Sequence, residues 1–146
     1  MRVLLVQPYI TVDTDHTIKY LQEPIGLLSI ATYIESELGD TVKIGLLDLF
    51  ALGKGQLNKY ENKFISGLGD EREICEHIRK FNPEIVGITA NFTELFQDVI
   101  AIGKLFSTNF RNIKLVLGGN HATIDAKNIL QKYPFVDYII RREGEV

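Results

Sequence analysis

Gly118-Gly119-Asn120-His121 holds the residues of this chain whose types and spacing most directly suggest a ligand site. Glycine either lets a ligand lie against bare backbone or supplies the positive φ of a tight turn. A plain strand-to-helix turn accounts for one such glycine more readily than two, so the pair points to ligand approach. His121 reads either as a surface or capping residue or as a donor to the amide or phosphate of a bound group. Thr89, Asn91 and Thr93 bring small polar groups to another loop. One of Asn91 and Thr93 is expected to cap the next helix, and Thr89, closing a strand beside Gly118, is the better ligand candidate. Asp48 ends a strand where an acid could hold a ribose, but no glycine fingerprint accompanies it. Cys75, the only cysteine, reads as a small buried filler.

These residues need a scaffold, and the pattern of apolar runs predicts one. Residues 2–6, 42–49, 85–89, 113–117 and 136–140 read as buried strands separated by stretches of helical period. Pro24 opens a helix with Leu27, Ala31, Ile34 and Leu38 on one face, and Gly39 supplies a left-handed stop. Asp70 with Glu73 forms a capping box for a helix burying Ile74, Ile78 and Phe81. Leu95, Val99, Ile102 and Phe106 mark another one-sided helix, and Ala126, Ile129 and Leu130 point inward from a shorter one. Residues 50–69 are the least regular, a partly ordered excursion packed by its aromatics. The order predicts an α/β fold: a doubly wound, five-stranded parallel sheet, flavodoxin-like or Rossmann-like, covered on both faces.

In such sheets ligands bind beyond the carboxyl ends of the strands, so the candidate loops begin at Gln7, Asp48, Thr89, Gly118 and Arg141. Gln7-Pro8-Tyr9-Ile10 has no glycine and cannot cradle a dinucleotide pyrophosphate. Gly53-Lys54-Gly55 is half a pattern, and there is no Walker loop. Thr89-Ala90-Asn91 lacks the carboxylate of a phosphate-accepting receiver, and Pro8 spoils a flavin phosphate cradle. The 146 residues, 45% apolar with net charge −3, fit one domain over residues 1–146 and give no basic surface for nucleic acid. Arg141-Arg142 reads as a solvated turn. A lone thiol excludes an internal disulfide and a thiolate site for zinc or an iron–sulfur cluster built from this chain. No apolar run has the length of a membrane span or a signal-peptide core, and the cytoplasm is the expected location.

Four segments resemble one known family. Pro24-Ile25-Gly26-Leu27-Leu28-Ser29-Ile30-Ala31 resembles the Pro-x-Gly-Leu-x-x-Leu-Ala opening of the first helix in B12-binding domains of radical S-adenosylmethionine proteins. Val86-Gly87-Ile88-Thr89 is similar to its third strand, and Gly118 to Thr123 to its Gly-Gly-x-His-x-Thr. Arg142-Glu143-Gly144-Glu145 resembles the Gly-Glu-Gly-Glu that leads toward the catalytic barrel. The likeness spans residues 3–146. It implies a cobalamin whose nucleotide tail slots between sheet and helices, with the corrin across the carboxyl-terminal loops. The cofactor-binding set it implies is Gln7, Pro8, Thr89, Asn91, Gly118, Gly119, His121 and Glu143, with Thr89 and the glycine pair lining the tail slot. On this reading Gly119→Val fills the slot and leaves the fold intact.

The chain departs from the family in two places. Asp-x-His-x-x-Gly, whose histidine ligates cobalt in B12 mutases, is missing: Asp15 and His16 are adjacent and Lys19 replaces the glycine. No metal ligand is therefore expected. Cys-x-x-x-Cys-x-x-Cys is also missing, so a 4Fe-4S cluster and S-adenosylmethionine would belong to a catalytic domain beyond residue 146. The expected function is the cobalamin-binding module of a methyltransferase- or cyclase-type radical enzyme, not catalytic alone, with that barrel as its partner. The alternative is a degenerate B12 fold without the vitamin, in which residues 9–23 and 50–69 serve as contact surfaces. A free-standing hydrolase ranks last, for want of a nucleophile with a nearby base.

Overall fold

The computed structural model describes residues 1–12, 23–53, 57–60 and 63–144. In chain order its elements are β1 (Arg2–Gln7), β2 (Ile10–Val12), α1 (Ile25–Leu38), β3 (Lys43–Asp48), α2 (Leu49–Leu52), β4 (Leu57–Tyr60), β5 (Lys63–Ser66), α3 (Glu71–Phe81), β6 (Ile85–Thr89), α4 (Phe96–Asn109), β7 (Lys114–Gly118), α5 (Asn120–Lys132) and β8 (Tyr138–Ile139). Five of the strands form a parallel sheet in the order β3-β1-β6-β7-β8. Counted as main-sheet strands this is 2-1-3-4-5, the doubly wound arrangement the apolar runs predict. Strand order reverses between β1 and β6, so the loops at Gln7 and Thr89 flank the switch point.

Alternation along β1 sends Leu4 and Val6 to one face and Val3 and Leu5 to the other. The first pair joins the main core with Ile78 of α3, Phe106 of α4 and Ile129 of α5. The second pair meets Leu27 of α1, with Ile30, Ala31 and Ile34 packed alongside. Gly39 ends α1 at φ 51° with its amide on the Glu35 carbonyl, as its position predicts. Asp70 accepts from the Arg72 and Glu73 amides at 2.9 and 3.0 Å, forming its half of the capping box.

Several local expectations need correction. Leu38 and Leu130 are 45% and 43% exposed and do not belong to the core. The buried stripe of α1 has run out by its last residue. In α5 a bend at Asp125 (φ −108°, ψ 19°) leaves Leu130 beside the stripe set by Ala122 and Ile129. Neither Asn91 nor Thr93 caps α4 with its side chain: the cap is Leu95, without a side-chain bond. The described residues between 50 and 69 are more regular than expected. After the short α2, capped by Asp48 Oδ1 on the Ala51 amide at 2.9 Å, β4 and β5 pair antiparallel, and β2 adds to β5. This three-stranded flap explains two glycines of the region. A Cβ on Gly53 would collide with the Gly67 backbone, and one on Gly67 (φ 118°) would sit 2.6 Å from the Leu49 carbonyl oxygen. The chain needs glycine there for backbone-to-backbone approach.

Candidate ligand slot

The floor of the slot follows from strand register. Leu5 of β1, Gly87 of β6 and Val116 of β7 are aligned partners, and Thr89 and Gly118 form the next row toward the carboxyl ends. Both rows face α1, since Leu5 belongs to the cluster around Leu27. In each row one residue is glycine: at Gly118 the floor is open, whereas at Gly87 the Leu5 side chain leans to 3.1 Å from where a Cβ would lie. Gly26, Leu27 and Ile30 of α1 overhang this floor, enclosing a cleft of about 200 Å³. A Cβ on Gly118 or on Gly26 meets nothing within 4 Å. The crevice near residue 118 is therefore open, not plugged by core side chains.

The two adjacent glycines divide the labour. Gly118 borders open space. Gly119 adopts φ 104° and ψ 179°, a region almost closed to other residues. Its Cβ would strike Asn91 Oδ1 and come within 2.9 Å of the Ala90 carbonyl carbon. The crowding arises because Ala90 is a junction: its amide donates to Gly118 O, and its carbonyl accepts from the His121 and Ala122 amides that open α5. Gly119 is thus required by a turn over Ala90. The expectation that Gly119→Val fills the slot without harming the fold is wrong, and Gly118 is the position that does so.

A second cleft, of about 240 Å³, lies across the switch point between the loop after β1 and the start of α4. Gln7 and Pro8 line it with Tyr9 and the exposed ring of Phe92, while Thr89 and Asn91 line both clefts. Glu143 lines the slot. His121 lines neither: its Nδ1 shares a 3.0 Å hydrogen bond with Thr93 Oγ1 and its ring lies 4.3 Å from that of Phe96. Thr93 lies two residues ahead of the α4 cap at Leu95, and its hydroxyl is engaged with His121 instead. Asp48 is engaged in capping α2, and Cys75 is buried on α3, its thiol pushed up by burial. Asp15, His16, Lys54, Gly55 and Glu145 lie outside the described residues. Among those described, no three His, Cys, Asp or Glu side chains cluster to hold a metal, and no helix is long and apolar enough to cross a membrane.

A family model for the B12 binding domain matches residues 13–146. The chain belongs to the B12-binding domain family. An uncharacterized methyltransferase of Pyrococcus horikoshii is 26% identical to this B12-binding domain, over 100% of the chain and 28% of its own length. Cytidylyl-2-hydroxyethylphosphonate methyltransferase of Streptomyces wedmorensis is 32% identical over 99% of the chain and 27% of its own length. The anaerobic magnesium-protoporphyrin IX monomethyl ester cyclase of Cereibacter sphaeroides is 32% identical over 65% of the chain and 16% of its own length. The chain thus spans less than a third of these relatives. Within the B12-binding domain, side-chain types alone did not single out Gly26, Gly87, Ile30, Val116 or Ile140 as slot residues. The first two carry a usable signal, a glycine inside a helix and a glycine inside a strand.

Proposed function

We propose that this domain holds cobalamin for a radical S-adenosylmethionine enzyme of methyltransferase or cyclase type, with the nucleotide tail in the slot between α1 and the sheet. The carrying observation is the open floor at Gly118, where an added Cβ would meet nothing within 4 Å, in a chain of the B12-binding family. The residues present fit the group. Bare strand backbone admits a flat base, Leu5, Leu27, Ile30 and Val116 offer it apolar walls, and Thr89 and Asn91 stand at the mouth with hydroxyl and amide groups. Gln7 and Pro8, in the adjoining cleft, lie toward the corrin. Glu143 borders the tail, Gly119 sets the turn that keeps Gly118 in place, and His121 braces the same turn through Thr93 and Phe96.

On this reading cobalt is held without a protein histidine, because the Asp-x-His-x-x-Gly motif is missing from the sequence. Bound cobalamin supplies a cobalt centre that carries and releases an organic group. The domain's own residues bind, orient and shield it, and the iron–sulfur cluster, S-adenosylmethionine and substrate belong to a partner barrel in the parent enzyme.

The test is retention. The purified chain is mixed with hydroxocobalamin and desalted, and its visible spectrum is recorded. Retained corrin bands are expected. A folded but colourless protein overturns the reading in favour of a degenerate fold that serves as a contact surface. Gly118→Leu should weaken binding by roughly 100-fold, equivalent to about 2.7 kcal/mol, with the fold unchanged. Gly119→Val should instead lose about 3–5 kcal/mol of stability to strain and overpacking. If Gly118→Leu retains the vitamin as well as the parent chain does, the tail does not lie over this floor.

A further inference from the structure

The remaining wall of the slot is not a helix but the chain leaving β8: Ile140, Arg142, Glu143 and Gly144 all line it. Three observations show that this segment is held in place. The Arg142 amide donates to Thr123 Oγ1 at 2.8 Å, nineteen residues away on α5. Arg142 sits at φ 65°, one of two non-glycine residues with positive φ among those described, a conformation that persists where the surroundings enforce it. Gly144 reaches α1: its Cβ would lie 3.3 Å from Ile30 Cδ1. The segment therefore bridges from α5 to α1 along the side of the slot.

We propose that Thr123 is a positioning residue for the ligand. Its hydroxyl latches the outgoing segment as the closing wall of the slot, so slot occupancy and segment position are coupled. Thr123 touches no ligand itself and acts through Arg142 and Glu143. The identity of the ligand rests on the cobalamin reading, while the latch does not. A ligand that packs against residues 142–144 only in their latched position must strengthen the latch to the same degree that the latch strengthens its binding.

The test measures amide hydrogen exchange at Arg142 in the parent chain, Thr123→Val and Thr123→Ser, without and with hydroxocobalamin, together with the rate at which cobalamin dissociates. Valine keeps the shape and removes the acceptor, whereas serine keeps the acceptor. Without cobalamin, Arg142 exchange should be roughly five- to tenfold faster in Thr123→Val and near the parent rate in Thr123→Ser, the worth of one hydrogen bond. Cobalamin should slow Arg142 exchange in the parent chain and leave Thr123→Val faster by a similar factor. Arg142→Val attacks the latch from its other end, since a β-branched residue resists positive φ. It should reproduce the loss and add little to Thr123→Val in the double variant, the signature of one shared interaction.

Equal Arg142 exchange in the parent and Thr123→Val overturns the latch. Faster exchange with an unchanged dissociation rate overturns its role as a wall. A parent chain that retains no cobalamin overturns the cobalamin reading and the coupling to that ligand, and the ligand-free exchange comparison still decides the latch.

Discussion

One face of the main sheet carries three helices and the other carries one, and the same strands serve both. Among the described residues, nineteen buried hydrophobics form the cluster under α3, α4 and α5, whereas four, Val3, Leu5, Leu27 and Val42, form the cluster under α1. Burying one large apolar side chain stabilises a fold by about 1.5–3 kcal/mol, so the crowded face supplies most of the drive to fold. That frees the other face. Toward α1, β6 presents Ile85, Gly87 and Thr89, and β7 presents Val116 and Gly118, and the volume left open beside Gly118 becomes the slot. The lesson is a division of labour at the carboxyl ends of β6 and β7: successive residues alternate between building the core and bordering the slot.

Matched truncations test the division most strongly. Phe106→Ala, on the crowded face at 1% exposure, should lose about 3–5 kcal/mol in urea unfolding while the slot residues stay in place. Leu27→Ala should lose only about 2 kcal/mol, because its cavity opens into the slot where water can enter, and it should weaken cobalamin retention more than its stability loss suggests. Equal losses from the two would mean the α1 face is as much a core as the other.

Next in size is the clamp at the edge of the crowded face. Asp98, on α4 and 8% exposed, accepts from the Thr11 amide at 2.8 Å and the Thr11 hydroxyl at 2.6 Å, tying the flap to the main body. Hydrogen bonds to a carboxylate are each worth about 1.5–3 kcal/mol. Asp98→Ala should cost about 2–3 kcal/mol and free the flap first, so that amides of β2 and β5 exchange faster than those of β6 and β7. A uniform rise in exchange across both sheets would show that the flap and the main sheet are one cooperative unit.

What the sequence made legible follows the same division. The main sheet and its order were readable because each strand is a short apolar run beside a helix with a one-sided stripe. The flap was not, because β2, β4 and β5 are three- and four-residue strands whose anchor, Thr11 to Asp98, joins positions 87 apart and leaves no local pattern. The glycine pair at 118–119 was recognisable as a ligand signal. Which glycine served the ligand and which the turn was not, since that depends on where each Cβ would point. Thr93 looked like a helix cap because a hydroxyl before a helix usually is one; here a histidine 28 residues away takes it instead. Thr123 and Arg142 were likewise invisible as a pair, for want of any rule linking a helix hydroxyl to a backbone amide nineteen residues on.

The smallest effect is also the most local probe of the crowded face. Tyr9 packs against the edge of the main core, and burial, then the charges of Asp98 and Glu71, push its phenol up from 10 to about 12. A phenol is neutral while protonated, so a raised value in the folded state means the fold holds that proton more tightly than the unfolded chain does. Its contribution to stability is complete below pH 10 and is lost as pH climbs from 10 through 12. Stability of the parent chain should therefore fall across that window, and Tyr9→Phe, which has no phenol to ionise, should fall less steeply. The difference in absorbance at 295 nm between the two proteins should show a single group titrating near 12, and Asp98→Ala should move it back toward 10. A phenol that titrates near 10 in the parent chain would mean that water reaches this edge freely, and the contrast between a dry face and an open one would then stop short of Tyr9.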